Sequence, residues 1–167
     1  MSENKVAVAY RKYAENYDLA VKFYRLLGLK IGKYRKMTVN ALELSKGDTG
    51  VELGCGTGLN FPLVLDIIGP EGKLIGVDIT DKMLDQARKR AVENGWNNVE
   101  LVQSDFAEYP FPNSLDGIYE TGALQYSTPK NNFKIDFLSN KSYHRSTIVS
   151  LENLRTKRGV CLFTLCR

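Results

Sequence analysis

Three features of the sequence predict an α/β fold with a doubly wound, mostly parallel sheet of about five strands. Short apolar runs ending near Leu53, Val77, Val102, Tyr119 and Leu165 alternate with stretches of helical periodicity. Each of the first three runs ends beside an acid: Glu52, Asp78 and Asp105. The first run also opens directly into Gly54-Cys55-Gly56-Thr57-Gly58. Strands alternating with helices at this rhythm favour parallel pairing, and such sheets bind ligands outside the carboxyl ends of their strands. The acids therefore fall on the edge where a ligand is expected.

The elements follow in order. From Asn16 to Leu44 the pattern is helical, with Tyr17, Ala20, Val21, Tyr24 and Leu27 repeating at steps of three and four until Gly28 breaks the run. A second helix is expected from about Lys33 to Leu44. The turn Ser45-Lys46-Gly47-Asp48 hands over to the first strand, which contains Gly50, a weak residue for a strand interior. A helix begins just after Gly58, with Pro62 tolerated in its first turn, and ends at Gly69-Pro70-Glu71-Gly72. Lys73–Val77 is the second strand. The next helix is capped by Thr80 or Asp81, carries Met83, Leu84, Ala87 and Ala91 on one face, and closes at Gly95. Val99–Val102, Leu115–Tyr119 and Gly159–Leu165 are the remaining strands.

Glycines spaced GxGxG at a strand-to-helix turn let a ligand approach the main chain, and the following helix offers unpaired N–H groups. The nicotinamide fingerprint GxGxxG is not met: counted from Gly54 its third glycine falls on Leu59, and counted from Gly56 it falls on Phe61. With Glu52 in front, the loop reads (D/E)xGxGxG. Together with Asp78 and Asp105 it resembles the class I S-adenosylmethionine-dependent methyltransferases, a Rossmann-like family. The resemblance implies that Glu52, Gly54, Cys55, Gly56 and Gly58 form the cofactor loop, with Glu52 accepting N–H bonds or a water from the ammonium group. Asp78 supplies two acceptor oxygens to a ribose diol, although the same residue suits a helix cap. Asp105 and the N–H of Phe106 stand where the family reads adenine. Ile79 and Met83 would flank the ring, core packing being a second and compatible reading for Met83.

The segment Tyr10-Arg11-Lys12-Tyr13-Ala14-Glu15-Asn16-Tyr17-Asp18 resembles the FDxxAxxYD lid of methyltransferases of ubiquinone/menaquinone biosynthesis and phospholipid N-methylation. It implies a lid in which Tyr17 reaches the cofactor carboxylate. Residues 1–44 are thus expected to form a helical lid, 45–126 the cofactor-binding core and 127–167 an atypical end of a single domain. The quinone branch carries an Arg-Asn pair where this chain has Gln125-Tyr126, which counts against quinone C-methylation. Glu120 and Tyr126 lie where a base would act, but packing or surface roles suit both, so no catalytic residue is named.

Composition narrows the function. Net charge is +4, giving no mandate for nucleic acid, and the methyl acceptor is expected to be a small molecule or lipid. His144 is the sole histidine and Cys55, Cys161 and Cys166 have no metal-ligand spacing, so no metal is expected. The start MSENK is unlike a signal peptide and no run is long enough to span a membrane, which favours a cytoplasmic protein. Between Ser127 and Arg158 seven basic residues face two acids, a pattern typical of a solvated face or of a surface for an acidic partner. The expected fifth strand ends the sheet without the family's terminal β-hairpin. A natural short form, a truncation and a frame-shift all fit, and an open strand-five edge invites self-association. A non-catalytic S-adenosylmethionine-binding or interaction module is the alternative reading.

Overall fold

The computed structural model describes residues 3–106, 108–121 and 147–150. Two helices, α1 (Glu3–Leu26) and α2 (Ile31–Asn40), precede β1 (Thr49–Leu53), α3 (Phe61–Ile68), β2 (Lys73–Asp78), α4 (Asp81–Glu93), β3 (Val99–Gln103), β4 (Gly117–Glu120) and β5 (Thr147–Ser150). The strands form one sheet in the order β3-β2-β1-β4-β5, and every pairing is parallel. The order reverses between β1 and β4, the switch point at which ligand crevices open in such sheets.

Strand alternation sorts the core into two layers. Val51, Leu53, Ile75, Val77 and Ile118 point to one face and pack with Leu115, Phe106, Tyr109 and Phe111 from the connection between β3 and β4. The intervening positions, Leu74 and Tyr119, face the layer built by Val39, Leu42, Phe61, Val64, Ile68, Leu84 and Ala87. Gly76 lies beneath this second layer. A Cβ there would meet Cys55 Sγ and Phe61 Cζ at 2.9 Å each, so the missing side chain lets the glycine loop and α3 settle on the sheet.

The N-terminal helix fits the helical lid expected over 1–44 but extends beyond the periodic run. It begins at Glu3 rather than near Asn16, and its inward face is Ala7, Tyr10, Ala14, Tyr17, Asp18 and Val21. Tyr24 and Leu27, two of the residues that carry the helical periodicity, are 47% and 62% exposed. Small or polar-tipped residues on the true inner face give little hydrophobic contrast, and the larger apolar side chains mark the outer one. α2 also begins and ends earlier than Lys33–Leu44. Leu42 and Leu44 leave the helix to pack over Gly50 and Gly117.

The expected strand Gly159–Leu165 and its edge lie outside the described residues, as do Tyr126, Cys161, Cys166 and nearly all of the basic stretch. A strand not expected from the sequence occupies Thr147–Ser150, where Ile148 and Val149 register with Ile118 and Tyr119. This β-branched run is only four residues long and lies within the basic stretch read as a solvated face, which hid its strand character. Among the described residues no group of His, Cys, Asp and Glu could hold a metal ion, and no helix is long and apolar enough to cross a membrane.

Candidate functional site

The carboxyl edge of β1, β2 and β3 gathers the glycine loop and two of the three acids' carboxylates within a network of bonds. Gly54, Gly56 and Gly58 all have positive φ, at 65°, 55° and 73°. Their surroundings differ. A Cβ on Gly58 would lie 2.6 Å from the buried Phe61 ring, whereas one on Gly56 would project into open space. Gly58 therefore serves the turn and its packing, and Gly56 leaves bare main chain facing a space a ligand can enter.

Asp78 ends β2 directly beside this loop. Its Oδ2 accepts from the Gly56 N–H at 2.8 Å, and its Oδ1 accepts from the Thr80 N–H at 2.8 Å. Burial raises its pKa, and the two backbone donors pull it back. Each oxygen keeps acceptor capacity beyond the one bond it makes. The carboxylate thus braces the loop and the start of α4 while presenting two oriented acceptors.

Glu52 is only 1% exposed. The resemblance implies that it accepts loop N–H bonds or a water from the ammonium group; in the structure its Oε1 accepts from Asn60 Nδ2 at 2.5 Å and its Oε2 from Tyr119 Oη at 2.8 Å. Glu52 and Tyr119 are register partners on β1 and β4, so the sheet itself makes this contact. Burial pushes the Glu52 carboxyl up to about 7, against the lowering effect of both donors. Burial likewise raises Tyr119 and the Cys55 thiol well above their ordinary values. Cys55 is inert packing at neutral pH. Asn60 Oδ1 is buried with no hydrogen-bond partner.

The other expected residues are distributed around this centre. Ile79 is 37% exposed beside Asp78, whereas Met83 is 2% exposed and packs inward. Asp105 and Phe106 follow β3, half-buried, and the neighbouring Ser104 N–H donates to Asp78 O at 3.1 Å, which ties this turn to the end of β2. Glu120, at 2% exposure, is buried, which removes the surface reading for that residue.

A second network escaped the sequence reading. Thr57 Oγ1 donates to Asp18 Oδ1 at 2.6 Å, Arg90 Nε donates to Thr57 O at 2.9 Å, and Arg90 also pairs with Asp18. Arg11 forks onto Asp81 at 2.7 and 2.5 Å. The two pairs advance together along both helices, so α1 lies parallel to α4 and crosses the glycine loop. Tyr10 and Tyr17 stand on its inward face with ring centroids 6.3 Å apart. The only hint in the sequence was Asp18 at the end of the lid-like segment; Arg90 carried none. Because Asp18 and Arg90 are partly solvated, Asp18→Ala should cost less than about 1 kcal/mol of global stability. It should nevertheless speed amide exchange along α1 several-fold. Unchanged exchange in the variant would show that packing alone holds the helix.

Comparisons with known proteins agree with this architecture. Residues 51–135, just over half of the chain, match the family model described as "Methyltransferase domain". A demethylmenaquinone methyltransferase of Listeria monocytogenes is 33% identical over 116 residues, covering 68% of this chain and 48% of that protein. One from Geobacillus stearothermophilus is 29% identical over 118 residues with the same coverage. The chain spans about half the length of the curated relatives it matches. Among solved structures, a SAM-dependent methyltransferase from Aquifex aeolicus superposes with TM-score 0.56 at 22% identity, over 78% of this chain and 76% of that one. Geranyl diphosphate C-methyltransferase from Streptomyces coelicolor A3(2), in complex with S-adenosyl-L-homocysteine, gives TM-score 0.59 at 18% identity, over 71% and 45%. With its parallel sheet, its glycine turn and the matched residues 51–135, this chain belongs to the methyltransferase domain family.

Proposed function

We propose that this chain binds S-adenosylmethionine at the carboxyl edge of β1, β2 and β3 and directs its methyl group to a small-molecule or lipid acceptor. The observation that carries the reading is Asp78, with one oxygen held by Gly56 of the open glycine turn and the other by Thr80 at the start of α4. A vicinal diol is the group such a pair of oxygens suits.

The residues present fit this cofactor. Gly56 leaves the space that a nucleoside-linked chain requires, and the unpartnered Asn60 Oδ1 adds acceptor capacity under the loop. Asp78 would hold the ribose, Asp105 with the Phe106 N–H the adenine edge, and Ile79 an adenine face. Glu52 has both oxygens engaged inside the protein, so its contribution is a negative field behind the loop rather than a direct contact. Tyr17 would serve the cofactor carboxylate from α1, with residues 1–44 as the lid and 45–126 as the cofactor core. When bound, S-adenosylmethionine supplies an already activated sulfonium methyl, so the protein's work is to align the acceptor and exclude water.

The relatives' names favour a quinone-type acceptor. They weigh against the exclusion drawn from Gln125-Tyr126, a pair outside the described residues. Calorimetric titration with S-adenosylmethionine, S-adenosylhomocysteine and NAD tests the cofactor. The first two should bind at least about tenfold more tightly than NAD, a difference of roughly 1.4 kcal/mol. Equal or tighter NAD binding would sink the assignment. A methyl-transfer assay with quinol, phenol, amine and lipid acceptors then separates the enzyme from a module that binds without turnover.

A further inference from the structure

The outer side of α1 and the turn into α2 expose far more apolar surface than the rest of the described molecule. Leu19, Phe23, Leu26, Leu27 and Leu29 are 67%, 56%, 82%, 62% and 51% exposed. Leu19, Phe23 and Leu26 recur at i, i+4 and i+7, on the face of α1 turned away from Ala14 and Asp18. The turn that follows is ordered by backbone bonds from the Leu27 N–H to Phe23 O at 3.0 Å and from the Leu29 N–H to Tyr24 O at 3.1 Å. These leucines are therefore held at the surface in a fixed arrangement. A contiguous exposed apolar patch of this kind marks a contact surface.

Its charge identifies the occupant. Residues 19–42 contain six basic side chains and no acid. Lys22, Lys30, Lys33 and Lys36 are exposed, and among the described residues none of the four joins an ion pair. Large aliphatic and aromatic side chains surrounded by unpaired lysines are the composition of a segment that lies in the headgroup region of an anionic bilayer. A second copy docked through the same face would set cations against cations. The stretch 127–158, with seven basic residues and two acids, is no better matched as an intramolecular cover. No described helix can cross a bilayer, so contact would be at the interface.

We infer that α1 from Leu19 onward, the turn to Ile31 and the lysines of α2 form a docking surface for anionic membrane. The inference stands apart from the cofactor reading, because its test requires no methyl transfer. Co-sedimentation of the full chain would use vesicles of phosphatidylcholine alone and vesicles with roughly a third phosphatidylserine. At low salt the chain should partition onto the anionic vesicles at least about tenfold more strongly, and added salt should weaken this. Phe23→Ser with Leu26→Ser, and separately Lys30→Glu with Lys33→Glu, should each reduce partitioning about tenfold or more. Lys157→Glu with Arg158→Glu should leave it unchanged. Melting curves establish that the variants are folded, and if the serine pair does not fold the lysine pair decides. Four results would overturn the inference: no preference for anionic vesicles, binding that survives the patch variants, loss caused instead by the Lys157 and Arg158 changes, or a lipid-free dimer abolished by the serine pair.

Discussion

Asp78→Ala should weaken S-adenosylmethionine and S-adenosylhomocysteine binding by about one to two orders of magnitude. Hydrogen bonds to an ionised carboxylate contribute about 1.5–3 kcal/mol, and 1.4 kcal/mol is a factor of ten. The variant loses the two acceptor oxygens offered to the ligand. It also frees the Gly56 and Thr80 N–H groups, now held at 2.8 Å each, so the loop is less well set before the ligand arrives. Asp78→Asn separates the two effects: one acceptor oxygen survives and the shape is unchanged, so its loss should be the smaller. Calorimetry on variants shown by circular dichroism to be folded makes the measurement. A dissociation constant unaltered in both would confine Asp78 to bracing the loop.

What could be read from the sequence was local. GxGxG after an acid, Gly69 and Gly95 after helical runs, and an apolar run ending in Asp78 are short-range patterns, and β1, α3, β2, α4 and β3 appear within a few residues of where they were expected. The partners of the motif acids were not local. Tyr119 reaches Glu52 only because β4 pairs with β1 in one particular register, 67 residues along the chain. Asp18, Thr57 and Arg90 meet only after α1 lies along α4, with separations of 39 and 72 residues. The faces of α1 could not be told from the periodicity: large apolar residues at helical spacing ordinarily face the core, and here Leu27 and its neighbours do not. The strand at Thr147–Ser150 was hidden by the charge around it.

Glu52→Gln should make the protein more stable at pH 8 by about 1–3 kcal/mol and flatten its stability between about pH 4.5 and 7. The folded-state pKa is about 7, against an ordinary value of 4.5. Between those values the folded state holds the proton more tightly than the unfolded state. Stability therefore falls as pH rises through the window, and the loss is complete above the folded pKa. Two and a half units at 1.36 kcal/mol each set an upper bound of about 3 kcal/mol. Glutamine stays neutral. Its Oε1 can still accept from Asn60, and its amide can donate to the Tyr119 oxygen in place of the present bond. Asp78 is also raised by burial, so its own contribution has the same sign. Denaturant unfolding of both proteins at pH 5, 6, 7 and 8 gives the comparison, and parallel curves would show that Glu52 is ionised in the fold without cost. An ionised Glu52 is worth that cost only if something positive lies near it in the working state. S-adenosylmethionine carries both an ammonium and a sulfonium, so its affinity for the wild type should rise between pH 6 and 8, and Glu52→Gln should lose most of that rise even as its fold becomes more stable.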